Sequence, residues 1–138
     1  LGIAVATVTG LVVNLAWFSP RGFFPAWWRA LGRTDPVPTS SDGTSSMVPT
    51  FAMTTAALIT QSIVLALTLE LAAGTTITGA TSVGLGAIVG LVAGVGIAAS
   101  SSLGHRLFSG QGVRVWAIEV GGDIVSLTAM GAVLGLFA

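Results

Sequence analysis

Two acids, Glu119 and Asp123, are the residues of this chain best placed to do chemistry. Four positions apart, they share one face of any helix that carries both. Their surroundings, VRVWAIEVGGDIVSLTAMGAVLGLF (113–137), are otherwise almost entirely apolar, so the carboxylates are expected inside hydrocarbon. A charge there costs at least about 2.5–3.5 kcal/mol and is expected to face the bundle interior, pair with a cation or take up a proton. Three kinds of chemistry fit. The acids could pair with Arg106, Arg114 or His105 and lock the fold. They could relay a proton or cation in a small transporter. They could also act as general acid and base in a membrane enzyme. No metal-ligand cluster, glycine-rich phosphate loop or nucleophile–base pair accompanies them, so the enzyme reading has least behind it. Two further polar residues belong with this set. Glu70 stands near the outer end of its span, within reach of water, and Asn14 can hydrogen-bond across helices from the first span.

The elements that must hold these groups follow from composition. Of 138 residues, 53% are hydrophobic and 7% are charged, and mean hydropathy is +0.94. A soluble domain carries roughly 25% charged residues because its surface faces water. The solvent of this chain is therefore largely lipid. Five Arg balance five acids, which removes the basic face that nucleic acid requires. With no Cys, disulfides, thiolate metal sites and Cys nucleophiles are excluded. With no Lys, Schiff-base chemistry is excluded, and a single His excludes paired-histidine haem ligation within the chain. No cofactor or metal is expected.

A span needs about 20 mostly apolar residues. The pattern predicts an all-α integral membrane bundle, one domain with four spans at about 1–18, 48–72, 82–103 and 113–137. The first is read as a retained helix rather than a signal peptide. "AGTTITGATS" (73–82) is the expected turn between the second and third spans, and 34–46 a mobile polar connector. Arg21, Arg29 and Arg33 in the first loop, and Arg106 and Arg114 in the third, put both loops in the cytoplasm and both termini outside by the positive-inside rule.

The segment "WFSPRGFFPAWWRALGR" (17–33) predicts a short amphipathic helix over 24–32. Phe24, Trp27, Trp28 and Leu31 fall on one face, with Arg29 and Arg33 together on the other. With Trp17, this reads as an interfacial anchor, rings toward lipid and guanidinium groups toward headgroups. A rival reading is an aromatic pocket for a cationic ligand. Gly86, Gly90 and Gly94 form a stripe on the third span, and Gly131 and Gly135 continue the device on the fourth. Small residues let helices approach closely in lipid; a substrate groove is the alternative. "FSPRG" (18–22) and "FSGQG" (108–112) echo one another, as two copies of a two-helix unit would.

"WFSPRGFFPAWW" resembles the Trp-Tyr-Ser-Pro motif that closes the first helix in small four-span bacterial membrane proteins of the domain of unknown function 1761 family, with Phe18 in the Tyr position. "RLFSGQGVRVWAIEVGGDIVSLTAMGAVLG" (106–135) is similar to that family's last hairpin, whereas "GRTDPVPTSSDGTSS" departs from it. The resemblance implies four helices in a bacterial inner membrane and carries no assigned reaction. The expectation is a non-enzymatic accessory or structural subunit, or a homo-oligomer packed through the glycine stripes, with the bilayer as its main partner. The alternative is a small proton-coupled transporter or channel using Glu119 and Asp123.

Overall fold

The computed structural model describes residues 1–36, 44–74 and 82–138, with the side chains of 44–47 outside that description. Most of the expected connector and of the turn before the third span fall on 37–43 and 75–81, beyond the described residues. Among the described residues there are helices and no strands. They are α1 (Gly2–Trp17), α2 (Phe24–Ala30), α3 (Thr44–Ala73), α4 (Ser82–Phe108) and α5 (Gly112–Gly135). Three of these, α3 from Val48 onward, α4 and α5, are long and apolar enough to cross a membrane. The shorter apolar helix α1 has 16 residues. At 1.5 Å per residue it is about 24 Å long, less than the roughly 30 Å of bilayer hydrocarbon.

α5 is the hub, and α1, α3 and α4 all pack on it. Two local contacts fix α1 antiparallel to α5: Gly2 lies against Phe137 at one end, and Trp17 against Gly121 and Gly122 at the other. Thr7–Ser62 and Gly10–Leu58 set α3 antiparallel to α1. Leu58, Leu65, Met130 and Leu134 are the main side chains of the core between α1, α3 and α5.

The chain leaves α1 through a tight turn rather than by continuing straight. Phe18 N–H still bonds the Asn14 carbonyl, then Phe23 N–H closes back on the Trp17 carbonyl at 2.7 Å. Pro20 in this turn has no N–H to continue a helix. Gly22 is needed for the close approach, because a Cβ there would lie 2.5 Å from the Trp17 carbonyl oxygen and 2.6 Å from that of Ala16. α2, with Pro25 in its first turn, then runs beside the opening turns of α5. The similar motif after α4 is built differently: Gly110 and Gly112 have positive φ, whereas Gly22 does not.

α4 outruns the expected end at 103 and continues to Phe108. Its serine-rich stretch stays helical because hydroxyls turn back onto carbonyls one turn earlier, as with Ser102 to Ala98 at 2.7 Å. Within it, Gly94–Ala99 forms a wider π-helical turn. Trp116 of α5 donates its indole N–H to the Ala99 carbonyl at 3.1 Å, at the end of that turn. α3 likewise begins earlier than the expected start at 48, with Pro49 inside its early turns.

A divided acid pair at mid-helix

Glu119 lies two turns into α5, on the side facing α2 and the end of α4. Arg106 Nε donates to Glu119 Oε2 at 2.7 Å, with the two side chains 39% and 19% exposed. The Trp27 indole N–H donates to Glu119 Oε1 at 2.9 Å. Arg106 also donates from Nη1 to Gln111 Oε1 at 2.8 Å. Three segments that are distant in sequence therefore converge on one carboxylate, and both its oxygens are held. His105 and Arg114 are not part of this cluster. His105 Nδ1 sits 3.0 Å from the Ser101 carbonyl on its own helix. Arg114 is exposed, with no hydrogen bond or ion pair among the described residues.

One turn deeper, Asp123 stands midway along α5 in different company. It makes no hydrogen bond or ion pair among the described residues. It lines a cleft of about 100 Å³ with Asn14, Thr54, Gln61 and Ser126, closed on its apolar side by Ala57 and Leu58. Asn14 donates to the Gly10 carbonyl at 2.9 Å and to Ser126 Oγ at 3.2 Å, so it does bridge α1 and α5. The Ser126 hydroxyl turns toward Met130 Sδ at 3.6 Å. Thr54 donates to the Thr50 carbonyl at 2.8 Å. Gln61, midway along α3, is exposed at the rim. Farther along the same interface, Thr7 and Ser62 share a buried hydrogen bond of 3.0 Å. Glu70 is remote from both acids, in a cleft at the opposite end beside Leu1 and Phe137.

The aromatic segment departs from the anchor geometry. Trp28 is only 9% exposed, and its indole N–H bonds the Asp35 carbonyl at 3.1 Å. Arg33 lies over that ring, 4.5 Å from its centroid, rather than on the face opposite the rings with Arg29. Arg29 instead folds back on the Pro25 carbonyl. Trp27 points to Glu119, and Phe24 packs on Trp27 and Trp28. Trp17 lies on the glycine surface of α5, stacks on Phe23 and donates to the Ile118 carbonyl at 2.9 Å. Trp17 and Trp27 therefore turn onto α5, while Trp28 packs within its own segment against Phe24, Arg33 and the Asp35 carbonyl. The reason is that Gly121 and Gly122 leave a flat backbone surface, and Glu119 offers an acceptor to an indole that would otherwise be buried without one.

The glycines form a seam within the chain. A Cβ on Gly86 would collide with the Gly131 carbonyl, one on Gly90 with the Leu127 carbonyl, and one on Gly135 with the Ser82 carbonyl. Gly94 lies against the Ile124 Cα. These stripes join α4 to α5, so their close contact is spent on holding the chain together rather than displayed to another copy.

Sequence reasoning missed Trp27 as a ligand of Glu119, and it missed Thr54, Gln61 and Ser126 altogether. The available signal was Gln61: an amide midway along a span has the same need for a polar neighbour as a hydroxyl or an acid.

No curated protein and no solved structure matches the chain. The family model described as "Protein of unknown function (DUF1761)" matches residues 1–135. A match over nearly the whole length, on a chain whose described residues are helical and include three helices long and apolar enough to cross a membrane, makes this protein a member of the DUF1761 family.

Proposed function

We propose that the chain is a four-span protein of a bacterial inner membrane in which Asp123 takes up and releases a proton or cation, while Glu119 is structural. α1 supplies the fourth span, with α2 covering the part of α5 that α1 is too short to reach. Trp17 ends against Ile118–Gly122, and Trp27 then meets Glu119. The Arg-bearing loops lie in the cytoplasm and both termini outside. The observation that carries the functional reading is the split between the two acids. Glu119 has Arg106 and Trp27, whereas Asp123 has neither, and a carboxyl at this depth is neutralised by a proton or by a cation. Loading and unloading Asp123 would couple its occupancy to a gradient across the membrane, the work of a small transporter.

The test uses the purified protein in lipid vesicles with a pH-sensitive dye trapped inside. After an external acid pulse, wild type and Glu119→Gln should acidify the lumen faster than empty vesicles, and Asp123→Asn should not. Equal rates for wild type and Asp123→Asn would overturn the assignment.

A second reading, an accessory subunit or homo-oligomer, draws on one observation. Thr54 and Gln61 are exposed at membrane depth, where polar side chains favour protein over lipid. Assembly would then use the cleft face, because the glycine stripes are already occupied. Native mass measurement in lipid distinguishes a monomer from an assembly, and Gln61→Leu should weaken the assembly if this face forms it.

A further inference from the structure

We infer that the cleft at Asp123 is a binding site for a small monovalent metal cation of the sodium type. This deepens the reading above and rests on its assignment of Asp123 as the working acid. The balance of donors and acceptors around the cleft points this way. Asn14 spends both amide hydrogens, on Gly10 and Ser126. Ser126 turns its own hydrogen to Met130, and Thr54 turns its hydrogen to Thr50. What these three side chains leave for the cleft is oxygen lone pairs: an amide carbonyl and two hydroxyl oxygens. Gln61 adds at the rim an amide with both a carbonyl and N–H groups, and Asp123 adds the carboxylate.

The inner lining of Asn14, Thr54, Ser126 and Asp123 presents acceptors, and one water has only two hydrogens to offer them. A single proton on Asp123 would answer just one of the facing oxygens. A hard cation answers all of them at once, since carboxylate, carbonyl and hydroxyl oxygens are its usual ligands. Charge selects the valence. Glu119 is already matched by Arg106, so the cleft holds one net negative charge. A divalent ion would leave an uncompensated positive charge midway along a span, where hydrocarbon strongly disfavours it. The space agrees: about 100 Å³ is available, room for a partly dehydrated ion with one or two waters at roughly 30 Å³ each. The ligands come from three helices, α1, α3 and α5, so occupancy would draw the three together.

Dicyclohexylcarbodiimide, which adds to a protonated carboxyl in an apolar setting, provides the test on the full chain in lipid vesicles. Modified residues are located by mass spectrometry of fragments. Asp123 should be labelled, and sodium chloride should slow labelling relative to choline chloride at equal ionic strength. The expected factor is 1 + [Na+]/Kd, about tenfold when sodium stands at about ten times Kd. Thr54→Val and Gln61→Leu, both at exposed positions, should be labelled as readily but lose most of the sodium protection. Labelling of Asp123 that neither sodium nor lithium slows would overturn the cation site and leave Asp123 as a proton-carrying acid. Absence of labelling at Asp123, with Asp123→Asn as the control, would overturn both that assignment and the cation site.

Discussion

The two faces of α5 solve the same membrane problem in opposite ways. Toward α4, glycines bring backbone against backbone, and there is no room even for a methyl group. Toward α1 and α3, side chains with oxygen atoms surround a cleft, and one carboxylate has no partner among the described residues. Lipid supplies no hydrophobic drive between helices, so the first face gains its hold from close van der Waals contact. The second sets polar groups, where lipid cannot serve them, beside the apolar core of Leu58, Met130 and Leu134. A helix fixed rigidly on one side can tolerate an open, chargeable site on the other. Glu119 and its partners sit where the two regimes meet, joining α2, the end of α4 and α5.

The contrast can be broken most severely at Gly90. Its neighbour is the Leu127 carbonyl, which cannot rotate away as a side chain can. Overpacking a core commonly costs about 1–3 kcal/mol, and Gly90→Leu should exceed that range because the helices themselves must separate. Thermal unfolding in detergent should show loss of the folded state or a large fall in Tm. A variant with normal Tm would mean that the seam is not close packed.

Arg106→Ala comes next. Removing one partner of a buried pair costs about 3–5 kcal/mol, but Arg106 is 39% exposed. Solvent screening at that exposure brings the expectation down to about 2 kcal/mol, read as a lower Tm. Glu119→Gln in the same background should recover part of it, since the orphaned charge is then gone. If the double variant is no better than Arg106→Ala, the loss is one of packing rather than charge.

Trp27→Phe keeps most of the ring and deletes the indole N–H that reaches Glu119. The expected loss is about 1 kcal/mol, the scale of one hydrogen bond. An interfacial anchor would instead show unchanged stability and weaker retention at the bilayer surface. The smallest effect belongs to Gly104, a glycine of α4 where an added Cβ would have nothing within 4 Å. Gly104→Ala should be neutral or stabilising by up to about 1 kcal/mol, from helix propensity alone. A clear fall in Tm would show that small size matters on α4 beyond the seam.

By itself, the sequence determined the helical class and the presence of long apolar segments able to cross a membrane, but not their ends, since α3 begins at Thr44 and α4 runs on to Phe108. Class and segments are both written locally: ten charges in 138 residues cannot cover a water-facing surface, and an apolar run in lipid must satisfy its backbone internally. The four-residue spacing of Gly86, Gly90 and Gly94 was legible for the same reason, because helical periodicity places them on one stripe. Arg106 was legible as a candidate for Glu119 only as one of three basic residues near that end. Tertiary structure chose it over His105 and Arg114, and it divided two acids one turn apart into a held carboxylate and an open one. It also turned Trp17 and Trp27 onto α5, which no amphipathic pattern could show. A periodicity says which side chains share a face, but not what that face meets. Thr54, Gln61 and Ser126 each look ordinary in their own helices. They become a site with Asn14 and Asp123 only because α1 and α3, antiparallel to one another, both pack at the middle of α5.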